Sequence, residues 1–172
     1  MKKIRTFTVF FAFCVALINF SAVCDAFRMV SGQLTQAGIY EAASVKKVKA
    51  PVTDTGYTSN ATGLKLIKST DNIPAKLGLT FGFEYVLIGL EPNKPFSLKR
   101  IISHPKITKP DGSVSEGYEM MITKQADAFG TLKDIQGYIF NEPYEVQPGE
   151  WKFTLMYQDQ KLIEKTFHVV KE

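Results

Sequence analysis

Between Leu77 and Leu90 the chain alternates. Leu77, Leu79, Phe81, Phe83, Tyr85 and Leu87 recur at every second position, and Gly78, Thr80, Gly82 and Glu84 fill the places between them. Successive side chains of an extended strand point to opposite faces, so this spacing predicts a strand with one buried face. Its far end, Val86-Leu87-Ile88, is apolar on both faces, which predicts cover on both sides there. Glu91-Pro92-Asn93-Lys94-Pro95 then breaks it. The same period returns near the C-terminus. Trp151, Phe153, Leu155 and Tyr157 share one face, and Lys152, Thr154 and Gln158 share the other. Asp159-Gln160 is read as a turn, and Leu162 to Lys171 as the returning strand, with Phe167 and Val169 inward and Thr166 and His168 outward.

Turn signals divide the rest of the chain. Gln33 to Ala42 reads as a first strand. Residues 43–62 are polar and rich in Thr, Ser and Lys, and read as a long loop with room for a short edge strand. Gly63 to Thr70 is a short strand, and Asp71-Asn72-Ile73-Pro74 a turn. Phe96 to Ser103 is a strand that His104-Pro105 ends or kinks, because proline lacks the ladder donor. Pro110-Asp111-Gly112 is a tight turn. Ser113 to Lys124 and Ile135 to Asn141 are further strands, and Glu142 to Gly149 is a connection with two prolines. Seven or eight short strands with no helical periodicity predict an all-β, immunoglobulin-like antiparallel β-sandwich. A closed barrel such as a lipocalin is the alternative; the very unequal connections favour the sandwich.

The first 26 residues break this pattern. Met1 to Arg5 is cationic, Thr6 to Phe20 is apolar, and Ser21 to Ala26 is rich in small residues. This is the order of a secretory signal, with cleavage after Ala26 or after Ala22. The apolar run would span about 22 Å as a helix, short of a ~30 Å hydrocarbon core. The expected organisation is a signal at 1–26 and one domain at 27–172, in the periplasm or secreted, with no membrane span after signal removal. A lipoprotein lipidated at Cys24 is a minor alternative, since Val23 is bulky for the position before a lipidated cysteine. Removing the signal takes Lys+Arg from 21 to 18 and Asp+Glu from 17 to 16, a net charge of +2. Without a basic face, nucleic acid is not an expected partner. Both cysteines, Cys14 and Cys24, lie in the signal, so the remainder holds no thiol for a disulfide, a metal or nucleophilic catalysis.

One set of residues carries a family resemblance. Pro148-Gly149-Glu150-Trp151-Lys152-Phe153, then Leu162 and Lys165-Thr166-Phe167-His168-Val169, resembles the closing hairpin of bacterial immunoglobulin-like domains. With Gly38-Ile39-Tyr40, His104-Pro105, Pro110-Asp111-Gly112 and Glu145 before Pro148, the pattern resembles the bacterial domain-of-unknown-function family numbered 3859, over about residues 33–170. That resemblance implies a secreted or periplasmic sandwich and assigns no catalytic or ligand residue.

The chemistry is sparse. His104 and His168 are the only histidines and lie far apart, with no ligand spacing around either, so no metal or other cofactor is expected. His168 reads as a solvated strand residue. His104, before a proline at a strand end, reads as a structural residue bonded to backbone at the kink, or as part of a functional rim. Ser103, His104 and Asp111 do not form a triad, because strand neighbours face opposite ways and no nucleophile elbow exists. Glu116, Glu119, Asp127 and Asp134 read as solvated strand edges rather than a glycosidase pair. Trp151, Phe153 and Tyr157 read as core, and Tyr144 as the most exposed aromatic. His104, Asp111 and Tyr144 are therefore the candidate binding rim. The expected function is a non-catalytic binding or structural module with an envelope protein as partner. The alternatives are an envelope hydrolase and a lipid-tethered inhibitor or accessory protein.

Overall fold

A computed structural model describes residues 29–171. The proposed signal, both cysteines and the cleavage positions lie outside the described residues. In chain order the strands are β1 (Ser31–Glu41), β2 (Ser44–Lys49), β3 (Tyr57–Thr62), β4 (Lys65–Ser69), β5 (Asn72–Pro74), β6 (Thr80–Ile88), β7 (Pro95–Thr108), β8 (Val114–Gln125), β9 (Thr131–Ile139), β10 (Gly149–Tyr157) and β11 (Gln160–Val170), with a 3-10 turn at Pro143–Glu145. One sheet runs β4-β1-β6-β9, a second β5-β11-β10-β7-β8, and β2 and β3 form a separate hairpin. All pairings are antiparallel except β5 with β11.

The alternating aromatics bring the layers together. Phe81 of β6 lies 5.4–6.0 Å, ring centre to ring centre, from Trp151 and Phe153 of β10 and Phe167 of β11, edge-on to each. Edge-to-face packing sets the positive rim of one ring against the negative face of another. Phe83, Leu87, Leu98, Phe140 and Leu155 are fully buried around this centre. On the outer face of the first sheet, Gly38, Gly82 and Gly137 pair in a row across β1, β6 and β9. A Cβ on Gly82 would stand 2.2 Å from the Gln136 carbonyl oxygen, so the backbones meet there as only glycine permits.

Several expectations need correction. Eleven strands, not seven or eight, occur among the described residues. The polar stretch 43–62 is the β2–β3 hairpin; every β2 residue is exposed, so no buried face imposed a periodicity. The turn at 71–74 is β5, whose Ile73 is fully buried beside β11, in a strand too short to show alternation. His104-Pro105 does not end its strand: β7 runs on to Thr108 through a bulge between Ser103 and Ile107. The C-terminal turn is Gln158-Asp159, with Gln158 at φ 51°. Ile88 is 52% exposed and Leu77 51%, so β6 begins at Thr80 and its far end is covered on one face only.

Because Phe81 touches rings from both layers, Phe81→Ala should cost about 4 kcal/mol in urea unfolding, whereas Ile88→Ala should cost less than about 0.5 kcal/mol. Equal losses would contradict this assignment of the core.

Candidate functional site

The two sheets do not close on each other at the side where β8 and β9 are their outermost strands. Inward positions there are polar. Arg100 follows Leu98 on β7, and Asp134 and Gln136 precede Tyr138 on β9, each in phase with buried neighbours. The gap is spanned by side chains. Arg100 Nη1 donates to Gln136 Oε1 at 3.4 Å, and Lys124 Nζ pairs with Asp134 Oδ2 at 2.6 Å. Tyr85 donates its hydroxyl to the same Asp134 oxygen at 3.2 Å. Burial, then the Asp134 charge and this bond, push the Tyr85 phenol far above its ordinary value.

The β2–β3 hairpin lies against this side. Between it and the two sheets is a cavity of about 220 Å³, lined among others by Tyr57, Asn60, Arg100, Tyr118, Tyr138 and Glu145. The hairpin tip folds on itself, with Thr53 N donating to Ala50 O and Ala50 N to Gly56 O, and this buries Asp54. Asp54 Oδ2 then meets His104 Nε2 at 2.9 Å, and Lys109 Nζ stands 3.8 Å from Oδ1. The other ring nitrogen, Nδ1, faces the Pro105 carbonyl at 2.8 Å. The β7 bulge brings the ring to this position, 4.8 Å from the Trp151 ring. Burial alone would raise the Asp54 carboxyl. The bonds from His104 and Ser115 and the His104 and Lys109 charges outweigh it and hold the group below the usual carboxylate range. A second anchor lies midway along β3, where Asn141 Nδ2 donates to Ser59 Oγ at 3.4 Å.

Glu145 closes the floor of the cavity. It accepts from the Tyr138 hydroxyl and from the backbone N–H groups of Asn141 at 2.9 Å and Glu142 at 2.8 Å. Burial still raises its carboxyl above the ordinary value, against these three bonds.

The three residues of the expected rim do not form one site, and none of them lines the cavity. His104 is buried in the latch rather than placed on a rim. Asp111 is exposed and holds its own turn through Ser113 N and Oγ. Tyr144 is half-buried against the core rather than exposed. Asp134, read as solvated, is an inward ion-pair partner. The signal that would have found the cavity is a charged or amide residue in phase with an apolar stripe, as Arg100 is with Leu98 and Ile102. Asp54 carries no local signal at all.

The family described as "Domain of unknown function (DUF3859)" matches residues 29–169. The fold is similar to an immunoglobulin-like protein from Pseudomonas aeruginosa, with TM-score 0.59, 27% identity, and 84% of this chain and 99% of that one covered. Weaker likenesses link it to parts of a Pseudomonas fluorescens alkylpurine DNA glycosylase (TM-score 0.38, 15% identity, 58% of this chain and 27% of that one) and a Listeria innocua β-glucosidase (0.39, 7%, 77% and 16%). No curated protein matches the chain.

Removing Asp54 strands a buried histidine, so Asp54→Ala should lose about 3 kcal/mol at neutral pH. The folded carboxyl is depressed, so its contribution is complete above the ordinary value of ~3.9 and disappears as pH falls through the lower folded value. Urea midpoints of wild type and variant should converge in acid; a gap that stays constant with pH would contradict the pair.

Proposed function

The chain belongs to the DUF3859 family, and from that premise we propose that it is an exported, non-catalytic binding module of the cell envelope. The observation that carries this reading is the cavity between the two layers, held under a hairpin whose tip is pinned by Asp54 to His104. Sites of about 300–1,000 Å³ are usual for drug-sized ligands. A volume of about 220 Å³ suits a smaller molecule, or one end of a larger one. Tyr57 and Asn60 line the cavity and are both exposed. Export is supported by the three-part leader at residues 1–26.

The non-catalytic reading rests on how the candidate acid–base groups are engaged. Both nitrogens of the buried His104 ring are occupied by protein oxygens, which leaves neither open to a substrate as a general base. Glu145 accepts from three donors. One observation favours the envelope hydrolase as a second reading: Asp134 and Glu145 both line the cavity, and the Glu145 carboxyl is raised by burial, as a general acid requires. A lipid-tethered inhibitor or accessory protein would instead depend on Cys24.

Expressed with its leader in a bacterium, the protein should be recovered from the periplasm or the medium with an intact mass lacking residues 1–26. Full precursor mass in the cytoplasm would refute export, and a lipidated Cys24 would give the tethered form. A small-molecule extract of the envelope should slow hydrogen exchange at residues 57–61. No extract effect, together with hydrolysis of a chromogenic ester or glycoside that Glu145→Gln abolishes, would replace the module by the enzyme.

A further inference from the structure

We propose that Arg100 is an anion receptor inside the cavity and that its ligand is a carboxylate, either a small free organic acid or the C-terminus of a peptide. This rests on the binding reading above and names its ligand class. Arg100 is the one arginine among the described residues, and it stands on the inward face of β7 between fully buried Leu98 and Ile102. Its charge is permanent. Among the described residues it has no ion-pair partner: Asp134 is taken by Lys124 and Tyr85, and Glu145 by Tyr138 and two backbone N–H groups.

The hydrogen bonds of the guanidinium show which edge is vacant. Nη1 donates to Gln136. Nε is buried with no partner, and Nη2 meets only the thioether of Met120, at 2.7 Å. The Nε–H and one Nη2–H point to the same side of the planar group, and together they form the fork that fits the two oxygens of a carboxylate. Here that fork holds a weak sulfur acceptor and no oxygen. Methionine is the most adaptable apolar side chain, so an entering ligand can displace Met120 without breaking a strong bond. Gln136 repeats the pattern: it is 2% exposed, its oxygen faces Arg100, and its Nε2 is buried with no partner. Arg100 lines the cavity and Gln136 stands directly behind it, so two hydrogen-bonded neighbours keep donors free at one part of the cavity wall. A half-buried guanidinium with a buried, unpaired Nε–H and a buried amide donor are both costly to leave so, and one bound carboxylate could satisfy both. The small cavity limits what can follow the carboxylate inside.

The test uses the whole protein as recovered after export, at low ionic strength, with succinate, a tripeptide with a free C-terminus, its C-terminal amide and inorganic phosphate as probes. Succinate or the free-acid tripeptide, at up to about 10 mM, should raise the unfolding temperature saturably, corresponding to a millimolar or tighter Kd. Succinate alone identifies a free acid as the source; the tripeptide, with no response to its amide, identifies a chain terminus. Arg100→Lys keeps the charge but loses the fork and should weaken binding about tenfold or more. In the wild type the Arg100 Nε–H resonance, identified by its loss in Arg100→Lys, should shift on addition of the acid, a readout that needs no destabilised variant. No saturable response, a response to phosphate alone, or an unmoved Nε–H signal would overturn the proposal. If the envelope extract protects residues 57–61 equally in wild type and Arg100→Lys, the binding module stands and the Arg100 assignment falls.

Discussion

The layers are held together around one ring. Phe81 reaches Trp151, Phe153 and Phe167 across the sandwich, and Tyr138 and Phe140 beside it. Since Cys14 and Cys24 both fall in the first 26 residues, no disulfide joins the described strands, and adhesion depends on apolar burial. The aromatic centre lies along β6, β10 and β11. Because it supplies the stability, the β8–β9 side is free to be polar. There the layers are joined by long charged and amide side chains, Arg100 to Gln136 and Lys124 to Asp134, which span the gap without filling it.

That division of labour explains the hairpin. A two-stranded ribbon is barely stable alone, and β2 contributes no buried side chain. It is fixed instead at its tip, by Asp54 in the His104 pocket, and midway along β3, by Asn141 on Ser59. The His104 ring in turn lies against Trp151, so the latch is built on the core itself. The β7 bulge connects the two: it carries the proline the ladder cannot use and places the histidine that holds the hairpin tip.

The parts of the fold legible in sequence are those where one face is buried along a whole strand. β6, β10 and β11 meet that condition, and their aromatics appear at period two. β2, with no buried face, and β5, with three residues, left no such trace. The candidate site was legible only by exception. Arg100 and Gln136 occupy inward positions of otherwise apolar or aromatic phases, and that mismatch can be seen in the chain once the phase is known. The Asp54–His104 pair could not be read, because the two residues are fifty positions apart and neither motif nor periodicity links them. Single exposed-looking residues such as Tyr144 and Asp111 were easier to see, and neither lines the cavity.

The row of Gly38, Gly82 and Gly137 bears on how the outside of the protein can vary. Gly137 is exposed, and by that measure alone it would pass for a freely exchangeable surface position. Yet a side-chain carbon there would come within 2.8 Å of the Phe81 carbonyl oxygen, on the same residue whose ring joins the layers. Natural and laboratory variation should therefore leave an intolerant stripe across the outer wall, and at Gly137 the intolerance falls where solvent access suggests freedom and backbone crowding forbids it.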